Sequence, residues 1–210
     1  MAKKKTIKCR NCKQPHTPFN STDNWCKELD CQVQKGLYLA EKKKKKQEKD
    51  KEKLNETKEN DRTERRKNDL ATEIQKLARM IDKKFGYGCC CCFKHVEDTG
   101  HGCHYHNKQG NENIKFNLDN IHLGRAHCNM YNSEHKKGYK EVMKDRYGED
   151  YAEYLENGIR LKYKEMHFTS YEIDHALKTT RKIIREFDTF DIGSAKAMRE
   201  YFNKMIGLYK

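Results

Sequence analysis

Residues 101–129 read HGCHYHNKQGNENIKFNLDNIHLGRAHCN, and their polar side chains are spaced like those of a hairpin that leads into a helix. His104 lies 16 residues before Asn120, which lies nine residues before Asn129. The polar segment 107–113 is typical of a turn that joins two short strands. The spacing therefore predicts a β-hairpin with a histidine on its first strand, followed by a helix that carries an asparagine.

The same residue types suit the hydrolysis of a phosphodiester. That reaction needs a base to activate water, a hard cation to neutralise phosphate charge, and a group that holds the base in place. In the HNH, or ββα-metal, fold the hairpin carries the histidine base, the helix carries a metal ligand, and an asparagine between them orients the hairpin. The residues alone leave His101, His104 and His106 open as the base. They are also compatible with a zinc site that has no catalytic role.

Cysteines lie just before this segment and at its end. Cys89 and Cys92 are the outer residues of a run of four cysteines, and Cys128 comes directly before Asn129. Thiolates at this spacing are typical zinc ligands, so we expect a structural zinc site that ties the helix to the hairpin. The two inner cysteines leave the identity of the ligating sulfurs open.

A second cysteine group lies near the N terminus. The pairs Cys9–Cys12 and Cys26–Cys31 are separated by 13 residues. Four thiolates can surround one Zn²⁺ tetrahedrally, and so small a segment is expected to fold only together with its metal. Trp25 and Phe19 are expected to pack beside this zinc site.

The composition favours small metal-supported domains and a polyanionic partner. Of 210 residues, 37% are charged and 35% are hydrophobic, and the formal net charge is +13. Lysine and arginine placed near phosphates release counterions, which favours nucleic acid as the partner. Because no segment resembles a signal peptide or a membrane span, we expect a cytoplasmic protein without a membrane partner, whose thiols stay reduced.

Helical patterns account for most of the remaining chain. The charged run over residues 37–67 predicts a solvated helical linker, and apolar residues at offsets of three and four predict a packed helix over residues 68–85. Further helices are predicted over residues 136–157, after Thr169 as N-cap with Glu172 three residues on, and near the C terminus.

The predicted fold is thus mainly α with small zinc-stabilised modules. It comprises an N-terminal zinc finger-like module over residues 1–36, the charged helix over residues 37–67, an HNH-like ββα-metal core over residues 68–157, and C-terminal helices over residues 158–210.

These motifs resemble the phage NinG/Rap family of recombination endonucleases. The family pattern is a Cys-x-x-Cys knuckle, Gly-His-aromatic, Phe-Asn-x-x-Asn-Ile-His, Cys-x-x-Cys-Asn and Ser-Gly-Asn. The matching residues here are Cys89-x-x-Cys92, His104-Tyr105, Phe116-Asn117-x-x-Asn120-Ile121-His122, Cys128-Asn129 and Ser133. The likeness includes the N-terminal cysteines and extends to about residue 187, and the rest resembles an extension.

The resemblance implies a role for each residue of the spacing pattern. His104 would be the general base, Asn120 the orienting residue, and Asn129 a ligand of a catalytic Mg²⁺ or Mn²⁺. It implies a metal-dependent endodeoxyribonuclease that acts on branched DNA, such as Holliday junctions or D-loops, with one or two structural zinc ions. Because two strands are cut at such a junction, a homodimer is one expected assembly.

The chain departs from the family pattern at both central metal sites. Arg125 replaces the first cysteine of the second Cys-x-x-Cys, so the fourth zinc ligand falls to His127 as first choice and His122 as second. Cys103 stands where HNH enzymes usually have a metal-binding Asp. The second ligand of the catalytic metal is therefore expected to be His101, with Asp98 as another candidate.

Two further departures keep an alternative function open. His106 is a spare imidazole that competes as base, and His135 replaces the asparagine of the closing motif. His135 either adds to the metal site, contacts phosphate, or is a solvated side chain. The alternative is a non-catalytic, zinc-dependent DNA-binding accessory protein of recombination with a degenerate HNH site.

Overall fold

The part of the chain that the structure describes is mainly helical, with two small sheets. The computed structural model describes residues 6–18, 23–96, 100–131 and 135–209, without the side chains at positions 130, 131 and 135. Two units are formed, residues 1–61 and residues 62–210. Within the described ranges, no helix is long and apolar enough to cross a bilayer.

The first unit is organised around its cysteines. Strand β1 (Ile7–Lys8) pairs antiparallel with β2 (Pro15–His16), and the chain then enters helix α1 (Leu29–Lys84). The buried apolar cluster of this unit consists of Cys9, Cys26 and Cys31. The Trp25 ring lies beside these residues in sequence and packs on Tyr38, 6.0 Å between centroids, while Phe19 lies outside the described residues. A core this small offers little hydrophobic stabilisation, so the fold of the unit depends on what its thiols bind.

Helix α1 includes the predicted charged linker and the predicted packed helix. Residues 29–61 of α1 belong to the first unit, and the remainder belongs to the second. The apolar stripe predicted near its end is confirmed, because Leu70, Ile74, Leu77 and Ile81 are all fully buried. The helix ends before Gly86, whose φ of 71° is left-handed and typical of a helix C terminus.

The second unit contains a hairpin that leads directly into a helix. Strand β3 (His101–His104) pairs antiparallel with β4 (Ile121–Gly124), with His104 opposite Ile121. A 3₁₀ turn (Leu118–Asn120) precedes β4, and helix α2 (Ala126–Tyr131) follows it. The element order strand, strand, helix agrees with the spacing of residues 101–129.

Helices complete the second unit. They are α3 (His135–Tyr147), α4 (Glu149–Glu153), a π-helical turn (Tyr154–Gly158), α5 (Ile159–Lys162), α6 (Ser170–Arg185), a 3₁₀ turn (Phe187–Thr189) and α7 (Ala195–Ile206). The single helix predicted over residues 136–157 is wrong, because Gly148 has a φ of 90° and divides it. The N-cap predicted at Thr169 is confirmed, since Thr169 and Glu172 form a reciprocal capping box.

The last helix is a central part of the second unit. Arg199 of α7 is fully buried, with its Nη2 2.6 Å from Asp82 Oδ1 of α1. Its Nη1 donates to the carbonyl of Ile121 at 2.7 Å, and the Leu118 N–H donates to Asn203 Oδ1 at 3.0 Å. Helix α7 therefore fixes β4 and the turn before it against α1, and the segment that resembled an extension lies in the core.

Candidate functional site

Four thiols meet in the first unit. The Sγ atoms of Cys9, Cys12, Cys26 and Cys31 all lie within 4.8 Å of one another. Burial disfavours ionisation of Cys9, but backbone N–H donors from Cys26, Cys12 and Asn11 outweigh it and lower the pKa of this thiol to about 6. Four sulfurs around one point, one of them already favoured as thiolate, are a donor set that matches Zn²⁺. This cysteine group can hold zinc.

Three further thiols meet in the second unit. The Sγ atoms of Cys89, Cys92 and Cys128 lie within 4.8 Å of one another, and those of Cys92 and Cys128 are 3.5 Å apart. A hydrogen bond from the Cys90 thiol is the largest cause that lowers the pKa of Cys89 to about 4, and the Arg125 N–H adds another at 3.3 Å. This second group can also hold zinc. Arg125 contributes a backbone donor where the family pattern has a cysteine.

Neither histidine expected as the fourth ligand belongs to this group within the described residues. His127 is exposed on α2, directly before Cys128. His122 is fully buried on β4, where its Nδ1 lies 2.9 Å from the Tyr139 hydroxyl and burial lowers its pKa well below the ordinary value. His122 therefore packs in the core against Tyr139, and His127 stays the predicted fourth zinc ligand.

A cleft of about 740 Å³ lies along the hairpin. Three of the predicted site residues line it: His101 and His104 from β3, and Asn129 from α2. The pairing of β3 with β4 and the short step into α2 bring Asn129 to the two histidines, 25 residues after His104 in the sequence. The cleft therefore combines imidazole and amide groups at one surface.

His104 is held in a defined tautomer. Its Nε2 lies 3.1 Å from the carbonyl oxygen of Lys115. Because a carbonyl only accepts hydrogen bonds, Nε2 carries the proton and Nδ1 carries the lone pair in the neutral ring. Burial is the main cause that lowers the pKa of His104 to about 4, with Lys108 adding repulsion. The imidazole is consequently neutral at pH 7 and able to accept a proton.

Asn120 is fully buried behind this strand and binds its backbone. The Oδ1 atom accepts from the N–H of His106 at 2.8 Å, and Nδ2 donates to the carbonyl of His106 at 3.2 Å. The same Nδ2 is 3.5 Å from the carbonyl of Ile114. One amide thus fixes the chain two residues beyond His104 and also the loop that returns to β4.

His106 has a different environment from His104. It is buried, and its Nε2 lies 2.6 Å from the carbonyl oxygen of Leu155. Burial is the main cause that lowers its pKa as well. His106 does not line the cleft, so of these two neighbouring imidazoles only His104 lies at its wall.

The ligands expected for a catalytic metal are described in part. His101 is half-buried and Asn129 is exposed, and both line the cleft. No carboxylate lines the cleft among the residues that the structure describes. Asp98 lies outside those residues, and for His135 only the backbone at the start of α3 is described.

Two cationic residues of the cleft were not selected from the sequence. Arg79 of α1 donates through Nη1 to the carbonyl of Gly100 at 2.5 Å, and Lys108 comes from the hairpin loop. Helix α1 reaches this surface because Gly102 has no side chain: a Cβ there would lie 2.7 Å from Cβ of Gln75. Arg79 flanks the apolar stripe of α1, and no signal besides its charge marks it in the sequence.

The fold and site define a helical protein with a hairpin cleft and two cysteine groups that can bind zinc. A family model described as bacteriophage lambda NinG protein matches residues 1–189, and the chain belongs to the NinG family. No curated protein and no solved structure matches the chain. Helix α7 lies beyond the matched residues.

Proposed function

We propose that this chain is a metal-dependent endonuclease of the HNH type that cuts branched DNA during phage recombination. The observation that supports it most is the cleft, where His104, His101 and Asn129 meet while Asn120 fixes the backbone behind them. Membership of the NinG family supports the link to recombination. The formal net charge of +13 suits a DNA partner.

In this proposal His104 acts as the general base. Its neutral ring takes a proton from the attacking water on Nδ1, while the Nε2–H keeps its hydrogen bond to the carbonyl of Lys115. A pKa of about 4 makes a weak base in the protein alone. A phosphate in the cleft raises the proton affinity of the ring, because an adjacent negative charge favours imidazolium.

Asn120 is a positioning residue in this reaction. Asn120 does not line the cleft, and the three hydrogen bonds of its side chain are with backbone groups. By holding both polar backbone groups of His106, it limits rotation of the strand that presents His104. A base fixed in this way loses little orientational freedom when it reacts.

Asn129 and His101 would hold a divalent cation that is shared with the substrate. Asn129 would supply an amide oxygen, the hard kind of donor that Mg²⁺ and Mn²⁺ prefer. His101 would add an imidazole nitrogen, a softer donor that is more typical of Zn²⁺ and other transition metals. Such an ion supplies charge neutralisation at the phosphate and at the leaving oxygen. Both protein donors are neutral, so phosphate oxygens of the DNA are expected to complete the site.

Arg79 and Lys108 are suited to bind the phosphates on either side of the cut. The bond from Arg79 to the carbonyl of Gly100 holds its guanidinium at the wall of the cleft. Contacts of this kind read backbone position rather than base sequence. An enzyme that depends on them discriminates by DNA shape, as expected for a branched substrate.

The purified protein tests the proposal on a labelled four-way junction and on a linear duplex with the same sequence. We expect cleavage of the junction with Mg²⁺ or Mn²⁺, weak or no cleavage of the duplex, and none in the presence of a chelator for these ions. Gel separation of the labelled strands gives the cut positions. Equal cutting of both DNAs contradicts the substrate assignment.

One observation favours a second candidate function. The described lining of the cleft contains no carboxylate, and Cys103, directly before His104, is fully buried. A zinc-dependent DNA-binding accessory protein without catalytic activity would have a cleft that lacks such a carboxylate. Tight junction binding without cleavage under Mg²⁺, Mn²⁺, Ca²⁺ or Zn²⁺ would establish that function instead.

A further inference from the structure

A second cavity lies in the second unit and contains none of the cleft residues. Its volume is about 280 Å³, close to the roughly 300 Å³ at which small-molecule pockets begin. Four tyrosines contribute to its wall: Tyr151, Tyr154, Tyr163 and Tyr209. We call it the tyrosine cavity. A wall of this kind suits a flat aromatic ligand.

The rings are fixed relative to one another. Tyr163 and Tyr209 meet edge to face, with centroids 5.0 Å apart, and Tyr209 accepts a hydrogen bond from the buried N–H of Phe116. Tyr151 is 4% exposed and its ring packs on the half-buried Tyr154 at 6.3 Å. Of the four rings, Tyr154 is the most exposed, since Tyr163 and Tyr209 are 8% and 2% exposed, so Tyr154 offers the main face on which a further ring can stack.

Three lysines line the tyrosine cavity, and two of them lie over its rings. Lys162 Nζ is 5.1 Å from the centroid of Tyr163, and Lys196 Nζ is 5.7 Å from that of Tyr151. Both lysines are exposed, and no ion pair of either is found among the described residues. Glu200 lines the same cavity, and its pKa is lowered first by Lys204 and also by Lys162 and Lys196. The third lysine of the rim, Lys204, is already paired with Glu200 at 2.8 Å. A phosphate beside the rings would therefore compete with Glu200 for Lys162 and Lys196.

Three carboxyl groups form part of the wall, those of Asp119, Asp150 and Glu200. Asp119 accepts a hydrogen bond from the Tyr151 hydroxyl at 3.1 Å and is half-buried. A carboxylate so placed accepts from the exocyclic amino group of a base such as cytosine or adenine.

We propose that the tyrosine cavity binds a nucleotide, with the base against the tyrosine rings and the phosphate on Lys162 and Lys196. Aromatic stacking beside a cationic track is the general mode by which proteins hold unpaired bases. The nucleotide comes from one of two sources: a free nucleoside monophosphate, or an unpaired residue of a branched DNA. The second source rests on the proposed function, and the first does not.

The test measures both sources without a divalent cation, so that cleavage plays no part. One arm titrates adenosine monophosphate by calorimetry. The other follows the fluorescence of 2-aminopurine placed as an unpaired residue at a DNA branch, with a fully paired branch for comparison. The wild-type chain is expected to bind in at least one arm, and a response confined to the DNA arm identifies the unpaired residue as the source.

Lysine substitutions at the surface give the first comparison. Lys162→Ala with Lys196→Ala is expected to weaken binding by about tenfold or more, because two phosphate contacts are lost. The matched control is Lys178→Ala with Lys182→Ala, which removes the same charge from exposed positions on α6 and is expected to change affinity far less. An equal effect of both double variants would overturn the site, since it would reflect net charge alone.

Tyr154 gives the second comparison. Tyr154→Phe keeps the ring and is expected to retain binding, whereas Tyr154→Ala is expected to lose about tenfold through lost stacking. Thermal unfolding shows whether Tyr154→Ala is folded. If it is not, the lysine variants test the binding site without it. Wild-type affinity of the Lys162/Lys196 variant in both arms overturns the proposal. Junction cleavage that continues in that case leaves the proposed function intact.

Discussion

His104 and His106 lie two residues apart on the same segment, yet their side chains have different environments. His104 lines the cleft with one ring nitrogen bonded to the carbonyl of Lys115. His106 is buried and bonded to the carbonyl of Leu155. Sequence alone left both open as base, because the alternation of a strand does not say which partner each imidazole meets. The contact of His104 with Lys115 and the contact of His106 with Leu155 distinguish the two side chains.

The positioning role of Asn120 is open to a direct test. Asn120→Ala leaves both polar backbone groups of His106 buried without their partner, at a cost of about 1–3 kcal/mol each. We expect a clear fall in the free energy of unfolding in urea. Junction cleavage by the fraction that remains folded is also expected to fall.

The control for Asn120 is Asn157→Ala, an exposed position whose side chain bonds to Glu153. It is expected to change the free energy of unfolding by less than about 0.5 kcal/mol. Wild-type stability and activity of Asn120→Ala would show that the amide does not hold the hairpin.

At the scale of elements, the hairpin and helix could be predicted because the polar spacing of residues 101–129 is local. The same holds for the capping box at Thr169 and for the buried stripe of α1. The approach of α1 to β3 at Gly102 could not be predicted, because nothing in either segment specifies the other. The cationic residue Arg79 was missed for that reason.

The two cysteine groups are the elements whose chemistry is easiest to measure. We expect two zinc ions per chain by mass spectrometry of the purified protein, since each group presents sulfurs within 4.8 Å of one another. Cys128→Ser is expected to retain one zinc, and prolonged treatment with a strong zinc chelator is expected to lower thermal stability.

Cys103→Ala is the comparison for the zinc count, because Cys103 is buried but belongs to neither group. It is expected to keep both ions. A wild-type content of one zinc that Cys128→Ser leaves unchanged would show that the central group binds no zinc.

At the scale of the whole molecule, the C-terminal residues proved hardest to assign from sequence. The pattern near Ser194 predicts a helix, and α7 begins there with Ser194 as its N-cap. Its place in the core depends on Arg199 and Asp82, a buried ion pair whose partners are 117 residues apart. Sequence patterns do not encode such distant pairs, so the tyrosine cavity, which α7 helps to form, was also missed.

The base role of His104 is the claim on which the account depends most. Its most direct test is the single-turnover rate of junction cleavage by His104→Ala with saturating Mg²⁺ or Mn²⁺, beside His175→Ala as an exposed histidine on α6. Junction affinity is measured on the same preparations. We expect that His104→Ala binds the junction normally and cleaves it at least about 100-fold more slowly, the usual scale of general base catalysis. His175→Ala is expected to bind and cleave like the wild type. Cleavage by His104→Ala at the wild-type rate would contradict the base role of His104.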